Sequence, residues 1–332
     1  MEFAFTPEQE MLRAQAREFL SERFPPERVA ELADSEHGWD SDSWRELADL
    51  GWLGVSVSEE HGGAGLGFLE EAVLFEELGR SLYPGPYFST VGLALPLLPP
   101  ELQAKVAAGA TRWSASLDGA LVPDLQAVDR VLVARAGRLL AVSAEGELVD
   151  TVDTTRRLGR LRAGEGEDLG PADALAAVRP RMLAALAVEA VGIGERALEL
   201  GVEHAGSRRQ FGRPIGVYQA VSHKLADTYV ETELARSLAY WAAWCVAEND
   251  EQAPIAAAAA KSFAAEAAVA ACERSIQVHG GIGFTWEHVL HRYYKRALGI
   301  EAFAGFPAAH RAEVASAVLE AAPLVRAASQ HP

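Results

Sequence analysis

The sequence predicts a mainly α-helical protein with a small β domain. Helix-period apolar patterns fill both ends of the chain, and a short Val- and Leu-rich stretch lies between them. Gly-rich breaks separate long helical segments near the C-terminus. With 332 residues, 49% of them hydrophobic, the chain is long enough for two or three domains. We expect an N-terminal helical domain at 1–110, a short β domain at 111–170 and a C-terminal four-helix bundle at 171–332.

The chain opens with the pattern of a capped helix. Thr6 is a favourable N-cap, Pro7 fits the first helical position, and Gln9 stands where a capping box requires it. Two further N-terminal helices are predicted around Trp44–Leu50 and from about Leu69 to Leu82. The apolar face of the first helix is formed by Met11, Leu12, Phe19 and Leu20.

The predicted β domain begins after a Pro-rich stretch. Ala127–Ala134 and Arg138–Ser143 are short, rich in Val and Leu, and separated by Ala136-Gly137, which predicts a β-hairpin. Glu147–Val152 is a further candidate strand, and the β-like pattern ends near Leu169.

Four long helices are predicted in the remainder of the chain, with Gly-containing breaks at GSRRQFGRPIG and HGGIGFTW. Long antiparallel helices with short connections favour a four-helix bundle. The predicted helices are Arg181–Ala205, Val217–Asn249, Pro254–Val278 and Pro307–Ala327.

Composition excludes several function classes. A formal net charge of −17 argues against a nucleic-acid or anionic-membrane surface, because phosphate attraction requires basic patches. No apolar run reaches the roughly 18–20 residues that a membrane span requires, and the acidic N-terminus does not resemble a secretory signal. Cys245 and Cys272 lie in helical patterns without metal-ligand spacing, which favours buried reduced thiols. We therefore expect a cytoplasmic protein without nucleic-acid or membrane partners.

Three segments carry a resemblance to a known family. Arg208–Ile215 reads RRQFGRPI, Gln277–Phe284 reads QVHGGIGF, and Leu50–Gly63 contains LGWLG and EEHGG. With this order of domains, the chain resembles the acyl-CoA dehydrogenases over its whole length. The resemblance implies a helical domain, a middle β domain and a four-helix domain. It also implies flavin-dependent α,β-dehydrogenation of an acyl-CoA thioester.

The same resemblance implies that two loops hold the FAD of a neighbouring subunit. Arg208 would pair with the pyrophosphate and Phe211 would pack on the adenosine end, while the second loop lies beside the phosphates and ribose. A guanidinium fork suits a diphosphate, and glycine lets backbone amides approach an anion. His223 and His279 are better explained by packing or a local hydrogen bond than by catalysis. The FAD residues implied are Arg208, Gln210, Phe211, Gln277, Gly280 and Gly281.

The chain departs from the family at the catalytic base. The family base is a glutamate in a segment that corresponds to Phe303–Phe306 here, and Ala304 occupies its position. At the second family location stand Met182 and Leu183, which cannot accept a proton. The nearest acids, Glu189 and Glu301, are expected to point elsewhere and to be structural. No catalytic residue is therefore predicted in this chain.

The β domain is also shorter than is usual in the family. Its glycine-serine-aspartate and tryptophan-x-threonine/serine segments, which contact the flavin ring, have no counterpart here. The resemblance thus implies a companion subunit in a dimer of heterodimers. A catalytic partner would supply the base, bind most of the acyl-CoA and pass electrons to an electron-transfer acceptor. Bacterial members acting on steroid side-chain thioesters resemble this arrangement, so a bulky acyl group is expected.

Two alternatives remain open from the sequence. The first is a homo-oligomeric dehydrogenase whose base has moved to Glu301 or to an acid of the Glu59-Glu60 loop. The second is a non-enzymatic scaffold that has lost flavin binding. The retained FAD residues favour the companion subunit over both.

Overall fold

The computed structural model describes residues 4–119, 121–162 and 164–321. Helices dominate both ends of this part of the chain and two small sheets lie between them, so the predicted fold class of mainly α with a small β domain is confirmed. The N-terminal helices are α1 (Pro7–Arg23), α2 (Pro26–Asp34), α3 (Ser41–Asp49), α4 (Phe68–Ser81) and α5 (Pro100–Ala107).

The first helix is capped as predicted. The amide of Gln9 donates to the Thr6 hydroxyl at 3.3 Å, and the Gln9 side chain accepts from the Thr6 amide at 3.1 Å. This reciprocal pair satisfies two amides that otherwise lack partners at a helix start. The sequence did not predict α2, α5 or the π-helical segment Phe88–Ala94.

The middle region forms two small sheets. Strands β3 (Arg130–Arg135) and β4 (Arg138–Ser143) form the predicted antiparallel hairpin, with Arg135 opposite Arg138 beside the turn. One sheet has the order β1-β3-β4-β7, in which only β1 and β3 are parallel, and the other has the order β2-β6-β5. The strands are β1 (Trp113–Ser116), β2 (Leu121–Pro123), β3 (Arg130–Arg135), β4 (Arg138–Ser143), β5 (Gly146–Val149), β6 (Leu158–Leu161) and β7 (Gly166–Pro171).

The C-terminal helices follow the short helix α6 (Ala174–Ala177). Helices α7, α8 and α9 pack against one another, α10 packs on α9 and α7, and α11 packs on α9. The prediction of four long helices was incomplete, because it omitted α10. The last six residues of the predicted Pro307–Ala327 helix lie outside the described residues. The bounds are α7 (Arg179–Ser207), α8 (Gln219–Ala247), α9 (Ala253–His279), α10 (Leu290–Ala302) and α11 (Pro307–Ala321).

Helix α9 lies at the centre of this bundle. Within the described residues, the stretch Ala253–Phe284 is long and apolar enough to cross a membrane by length and composition alone. Its most apolar window is 67% buried inside the protein, as expected for a core helix. Cys245 and Cys272 are free and buried, which confirms the prediction for both thiols.

Two glycines let the N-terminal region approach the bundle closely. Helices α4 and α7 pack against each other. A Cβ added at Gly192 would lie 2.0 Å from the carbonyl oxygen of Glu76, and one at Gly79 would lie 2.3 Å from that of Glu189. The missing side chains therefore allow contact between the helix backbones and fix α7 in place.

Candidate cofactor-binding site

The first predicted cofactor loop is a small hairpin at the end of α7. Strands β8 (Arg209–Gln210) and β9 (Arg213–Pro214) pair across a two-residue turn, Phe211-Gly212. Both turn residues have positive φ, at 50° and 80°, which is the backbone of the tight turns that join antiparallel strands. Phe211 is 90% exposed at the tip. The hairpin therefore presents an aromatic ring to solvent in a backbone conformation that aromatic residues rarely adopt.

The second predicted loop follows α9. Gly280 ends the helix with φ 65° and ψ −138°, a region that essentially only glycine enters, and its amide donates to the carbonyl of Gln277. A Cβ added at Gly281 would meet no atom of the described residues within 4 Å. The packing of this chain therefore does not explain why residue 281 lacks a side chain, and open space remains beside its backbone.

The structure brings the two loops together at one end of the bundle. The His204 ring, one turn before Arg208, lies 4.2 Å from the ring of His279, which directly precedes Gly280. Beneath them, a small apolar cluster joins α7, α8 and α9 through Ala205, Leu225 and Val278. We call the two loops, residues 208–215 and 277–284, the clamp.

The clamp suits an anionic dinucleotide. Arg208 is exposed, and its guanidinium has no hydrogen bond or ion pair to any side chain or carbonyl among the described residues. The exposed side chain of Gln277 lines a cavity of about 450 Å³ together with Gly280 and Gly281. A free guanidinium beside open glycine backbone is an arrangement that can hold a diphosphate. The role of these residues and of exposed Gln210 in binding a flavin stays a prediction.

Large apolar side chains surround the clamp. Phe284 and Trp286 are 79% and 78% exposed, and Ile282 is half exposed. The Lys295 ammonium lies 4.0 Å from the centroid of the Trp286 ring, a cation–π contact. A cluster of exposed aromatic groups of this kind is typical of a surface that another molecule covers.

Ala304, which the sequence predicts to stand in place of a catalytic glutamate, lies at a different cavity. Ala304 follows α10 with φ 59° and lines a cavity of about 550 Å³, called the Ala304 cavity below. Next to it, Phe303 packs edge-on against Phe88 with ring centroids 5.8 Å apart. The Arg156 guanidinium lies 4.4 Å from the centroid of the same Phe88 ring. Part of this region is thus filled by the chain's own side chains.

Glu189 is structural, as the sequence indicated. Its carboxylate is 2% exposed and accepts hydrogen bonds from Arg156 at 2.7 and 2.9 Å and from Arg296 at 2.6 Å. The Arg296 guanidinium also donates to Asp153 at 2.8 Å. Both oxygens of this carboxylate are therefore occupied by guanidinium donors. We call these four residues the buried ion-pair network.

Glu301 does not line the Ala304 cavity among the described residues. Burial raises its pKa, and the nearby Glu266 raises it further, while Lys261 acts in the opposite direction. The Lys261 ammonium donates to the backbone carbonyls of Glu301 and Gly305 at 2.9 and 2.8 Å. Lys261 thereby fixes the loop around Ala304, and burial lowers its pKa to about 8.

The acids that do line the Ala304 cavity were not predicted from the sequence. They come from the loops of the small sheets, where Asp118, Asp150 and Asp153 contribute to the wall. No motif or spacing marks them, because the two sheets bring together residues that are distant in the chain. Asp153 is engaged by Arg296, and Asp118 accepts from the amide of Leu121 at 2.9 Å.

The two histidines singled out by sequence differ in their surroundings. His279 is buried and its Nδ1 donates to the Ser275 carbonyl at 2.8 Å, as expected for a local hydrogen bond. His223 is exposed on α8 and makes no side-chain hydrogen bond among the described residues, so the prediction of packing is wrong for it. His204 and His288, which flank His279, were not noticed, because the contact joins separate helices.

Two family models match most of the chain. The acyl-CoA dehydrogenase N-terminal domain matches residues 6–98, and the acyl-CoA dehydrogenase C-terminal domain matches residues 181–319. The second match includes both loops of the clamp and the position of Ala304.

Known proteins resemble the chain over nearly its whole length. Acyl-CoA dehydrogenase IpdE2 of Mycobacterium tuberculosis is 38% identical over 299 residues, which span 88% of this chain and 91% of the relative. A chain of the ChsE4–ChsE5 complex from Mycobacterium tuberculosis has a TM-score of 0.89 and 26% identity, and covers 97% of this chain and 100% of that one. A chain of the Tcur3481–Tcur3483 steroid ACAD has a TM-score of 0.87 and 29% identity, covering 94% and 98%.

Proposed function

This chain belongs to the acyl-CoA dehydrogenase family of FAD-dependent oxidoreductases that act on CH–CH groups, and we propose that it is a subunit without a catalytic base. In this proposal it completes the FAD site of a catalytic partner in a dimer of heterodimers. The partner supplies the base and most of the acyl-CoA site. The family's arrangement of helical, β and four-helix regions, expected from the sequence, is confirmed.

Ala304 carries the proposal most directly. Dehydrogenation at the α,β-bond requires a group that removes the α-proton within hydrogen-bond reach of that carbon. A methyl side chain at position 304 cannot do so, and the neighbouring Glu189 already accepts from Arg156 and Arg296. These contacts support placing the base on another subunit.

The clamp supports a retained role in cofactor binding. Arg208 would donate to the diphosphate, Phe211 would pack against the adenosine end, and Gln277 with the Gly280-Gly281 backbone would lie beside the phosphates and ribose. When bound, FAD supplies the hydride-accepting chemistry of the reaction. An exposed guanidinium and an open glycine backbone without partners in the described chain fit that group.

The names of similar proteins support a paired assembly and a bulky substrate. ChsE4–ChsE5 is a complex of two proteins, and Tcur3481–Tcur3483 is called a steroid ACAD. The exposed Phe211, Phe284 and Trp286 give this chain a surface that a partner can cover. By analogy, we propose that the substrate is the CoA thioester of a large, polycyclic acyl group, with electrons passed to an electron-transfer acceptor.

Isolation of the chain from its native cell tests the proposal. We expect a second dehydrogenase-like chain, with a glutamate at the position of Ala304, to co-purify in equal amount and the complex to be yellow. The chain expressed alone should retain no stoichiometric FAD and show no turnover with a dye acceptor. FAD content and turnover of both preparations provide the measurement.

Two results would contradict the companion-subunit role. Stoichiometric FAD and turnover in the isolated chain would establish a homo-oligomeric enzyme with a relocated base. The structure gives no support to Glu59 or Glu60 in that role, because both are exposed on a short helix. Unchanged FAD content in a complex carrying Arg208→Ala would instead indicate a scaffold that no longer binds flavin.

A further inference from the structure

Three histidine rings form a stack between the two loops of the clamp. His204 of α7 lies 4.2 Å from His279 of α9, with the ring planes inclined by 30°. His279 in turn lies 4.4 Å from His288, which follows the second loop, with the planes inclined by 55°. Arg208 is four residues after His204, and Gly280 directly follows His279. The stack therefore adjoins both groups that we assign to the cofactor diphosphate.

Hydrogen bonds distinguish the three rings. The Nδ1 of His279 donates to the Ser275 carbonyl, which leaves Nε2 as the free acceptor of the neutral ring. The Leu290 amide donates to Nδ1 of His288 at 3.3 Å, so protonation of that atom would break this bond. The ring nitrogens of His204 have no hydrogen bond among the described residues. His204 and His279 therefore each keep a ring nitrogen without a hydrogen bond among the described residues, whereas Nδ1 of His288 is already engaged.

The groups around the stack disfavour protonation of His204 and His288 while the anion is absent. Burial, His279 and Arg208 lower the pKa of His204, in that order. Burial, His279 and His204 lower the pKa of His288. Glu287 precedes His288 in the chain, yet no ion pair joins a carboxylate to any of the three rings among the described residues. The groups that act on the stack are thus His204, His279, His288 and Arg208.

We propose that His204 and His279 form a proton-accepting pair that completes the diphosphate site, so that the cofactor binds together with a proton. The inference rests on the proposed function, because the diphosphate is assigned to the clamp there. The bound dianion supplies the negative charge that the stack lacks and favours the imidazolium form of the pair. Binding then raises the proton affinity of the pair, and by reciprocity protonation strengthens binding.

The sign of the pH dependence follows from this coupling. Because binding raises the pKa of the pair, FAD affinity is highest at low pH, where the pair is protonated before and after binding. It weakens as pH rises through the pKa of the bound state and becomes constant above it. The slope has a limit of about tenfold per pH unit for one coupled proton.

The experiment measures FAD dissociation constants of the flavin-depleted complex between about pH 5.5 and about pH 8. The test variant is His204→Gln/His279→Asn, since asparagine can still donate to the Ser275 carbonyl without titrating. We expect wild-type affinity to fall about three- to tenfold over this range beyond any change in the variant. At the upper pH the two proteins should bind alike. His37→Gln, at an exposed N-terminal histidine, serves as the control and should follow wild type.

Calorimetric titration with FAD in two buffers of different ionisation enthalpy provides a second readout. We expect wild type to take up a measurable fraction of a proton near the middle of this pH range, and the double variant to take up less. Identical pH profiles for both proteins, or no difference in proton uptake, would overturn the inference. Equal loss of affinity by the variant at every pH would also overturn it, because that result indicates a structural role.

Arg208→Gln separates this inference from the proposed function. At the upper pH the proposed proton uptake contributes least, so FAD binding there tests the guanidinium. If Arg208→Gln leaves FAD affinity unchanged, the proposed function fails. If Arg208→Gln weakens binding at every pH while the histidine variant follows the wild-type profile, only the proton-accepting pair fails.

Discussion

The clamp and the Ala304 cavity differ in how their charged groups are paired. At the clamp, Arg208 is exposed and has no described side-chain partner. At the cavity, Arg156, Arg296 and Asp153 are paired around Glu189. Charges that neutralise one another stabilise a fold, whereas a free charge beside open backbone can bind a ligand. The free guanidinium fits the proposed role of the clamp in cofactor binding, whereas the guanidinium groups at the Ala304 cavity are already paired.

Breaking the buried ion-pair network should give the largest effect. Arg296→Met leaves Asp153 and Glu189 buried without one of their partners. We expect the free energy of unfolding to fall by about 3–5 kcal/mol, as measured by urea denaturation. Arg138→Met removes an exposed ion pair with Asp168 and serves as the matched control, with no resolvable change. If both substitutions lowered the free energy of unfolding equally, the buried ion pairs at the cavity would matter no more for stability than an exposed pair.

Substitution of the free guanidinium should give the next largest effect, and on FAD binding rather than on stability. Arg208→Gln removes a charge-assisted donor to the diphosphate, so we expect FAD affinity of the complex to fall by about 2 kcal/mol, or roughly 30-fold. Arg209→Gln is the adjacent control, since the Arg209 side chain donates to the Gly212 carbonyl within the hairpin. The contrast between clamp and cavity fails if Arg208→Gln lowers the unfolding free energy instead.

Asp124 provides a test that depends on pH, because Arg156 and Arg296 of the buried ion-pair network act on its charge. It is buried, accepts from the Ser89 hydroxyl at 2.8 Å, and burial raises its pKa from 3.8 to about 6. A raised carboxyl pKa means that ionisation opposes folding, with a penalty that grows between pH 3.8 and 6 and is constant above. Asp124→Asn should therefore raise the free energy of unfolding by about 1–2 kcal/mol at neutral pH, and not below about pH 4.

Denaturation of wild type and Asp124→Asn at both pH values provides the check. If Asp124→Asn raised the free energy of unfolding equally at both pH values, the charge of Asp124 would not be the cause of the gain. Asp168→Asn supplies the opposite case, because its hydrogen bonds to Arg138 lower the pKa of Asp168. That variant should not gain stability at neutral pH.

A methyl group added at Gly281 should give the smallest effect. It should change FAD affinity more than stability. Because a Cβ there contacts no atom in the described part of the chain, the free energy of unfolding of Gly281→Ala should stay within about 0.5 kcal/mol of wild type. FAD affinity should fall by about 1 kcal/mol if the cofactor approaches this backbone. Gly164→Ala, at an open glycine far from the clamp in sequence, is the control. Unchanged FAD affinity in both variants would place the cofactor elsewhere.

Local signals made part of the fold predictable. The Thr6 and Gln9 capping box depends on neighbouring residues only, and the alanine-rich α9 has strong helix propensity. Helix α10 was missed because two of its buried residues are Arg292 and Arg296. Because arginine is normally assigned to the surface, the buried face of α10 does not show the helical spacing of apolar residues that predicts a helix. The partners that let these arginines be buried lie far away in the sequence.

The same limit explains what the sequence revealed of the site. The clamp residues lie in two contiguous motifs, and Ala304 is found by counting along a segment, so both could be named from the chain alone. The stack of His204, His279 and His288 depends on how α7 meets α9, and the acids of the Ala304 cavity depend on the sheets. Strands β6 and β7 were missed because β6 contains Gly159 and β7 contains two glycines and Asp168, residues that pattern rules assign to turns.

The acids around position 304 also bear on the evolutionary history of this chain. A carboxylate regained there would join Asp118, Asp150 and Asp153 at one cavity, and like charges so close disfavour each other's ionisation. Deleting Asp153 to make room would leave the guanidinium of Arg296 underpaired in the core. Under the proposed companion-subunit role, regaining proton abstraction in this chain would therefore require several coordinated replacements, and the chain would stay dependent on its catalytic partner.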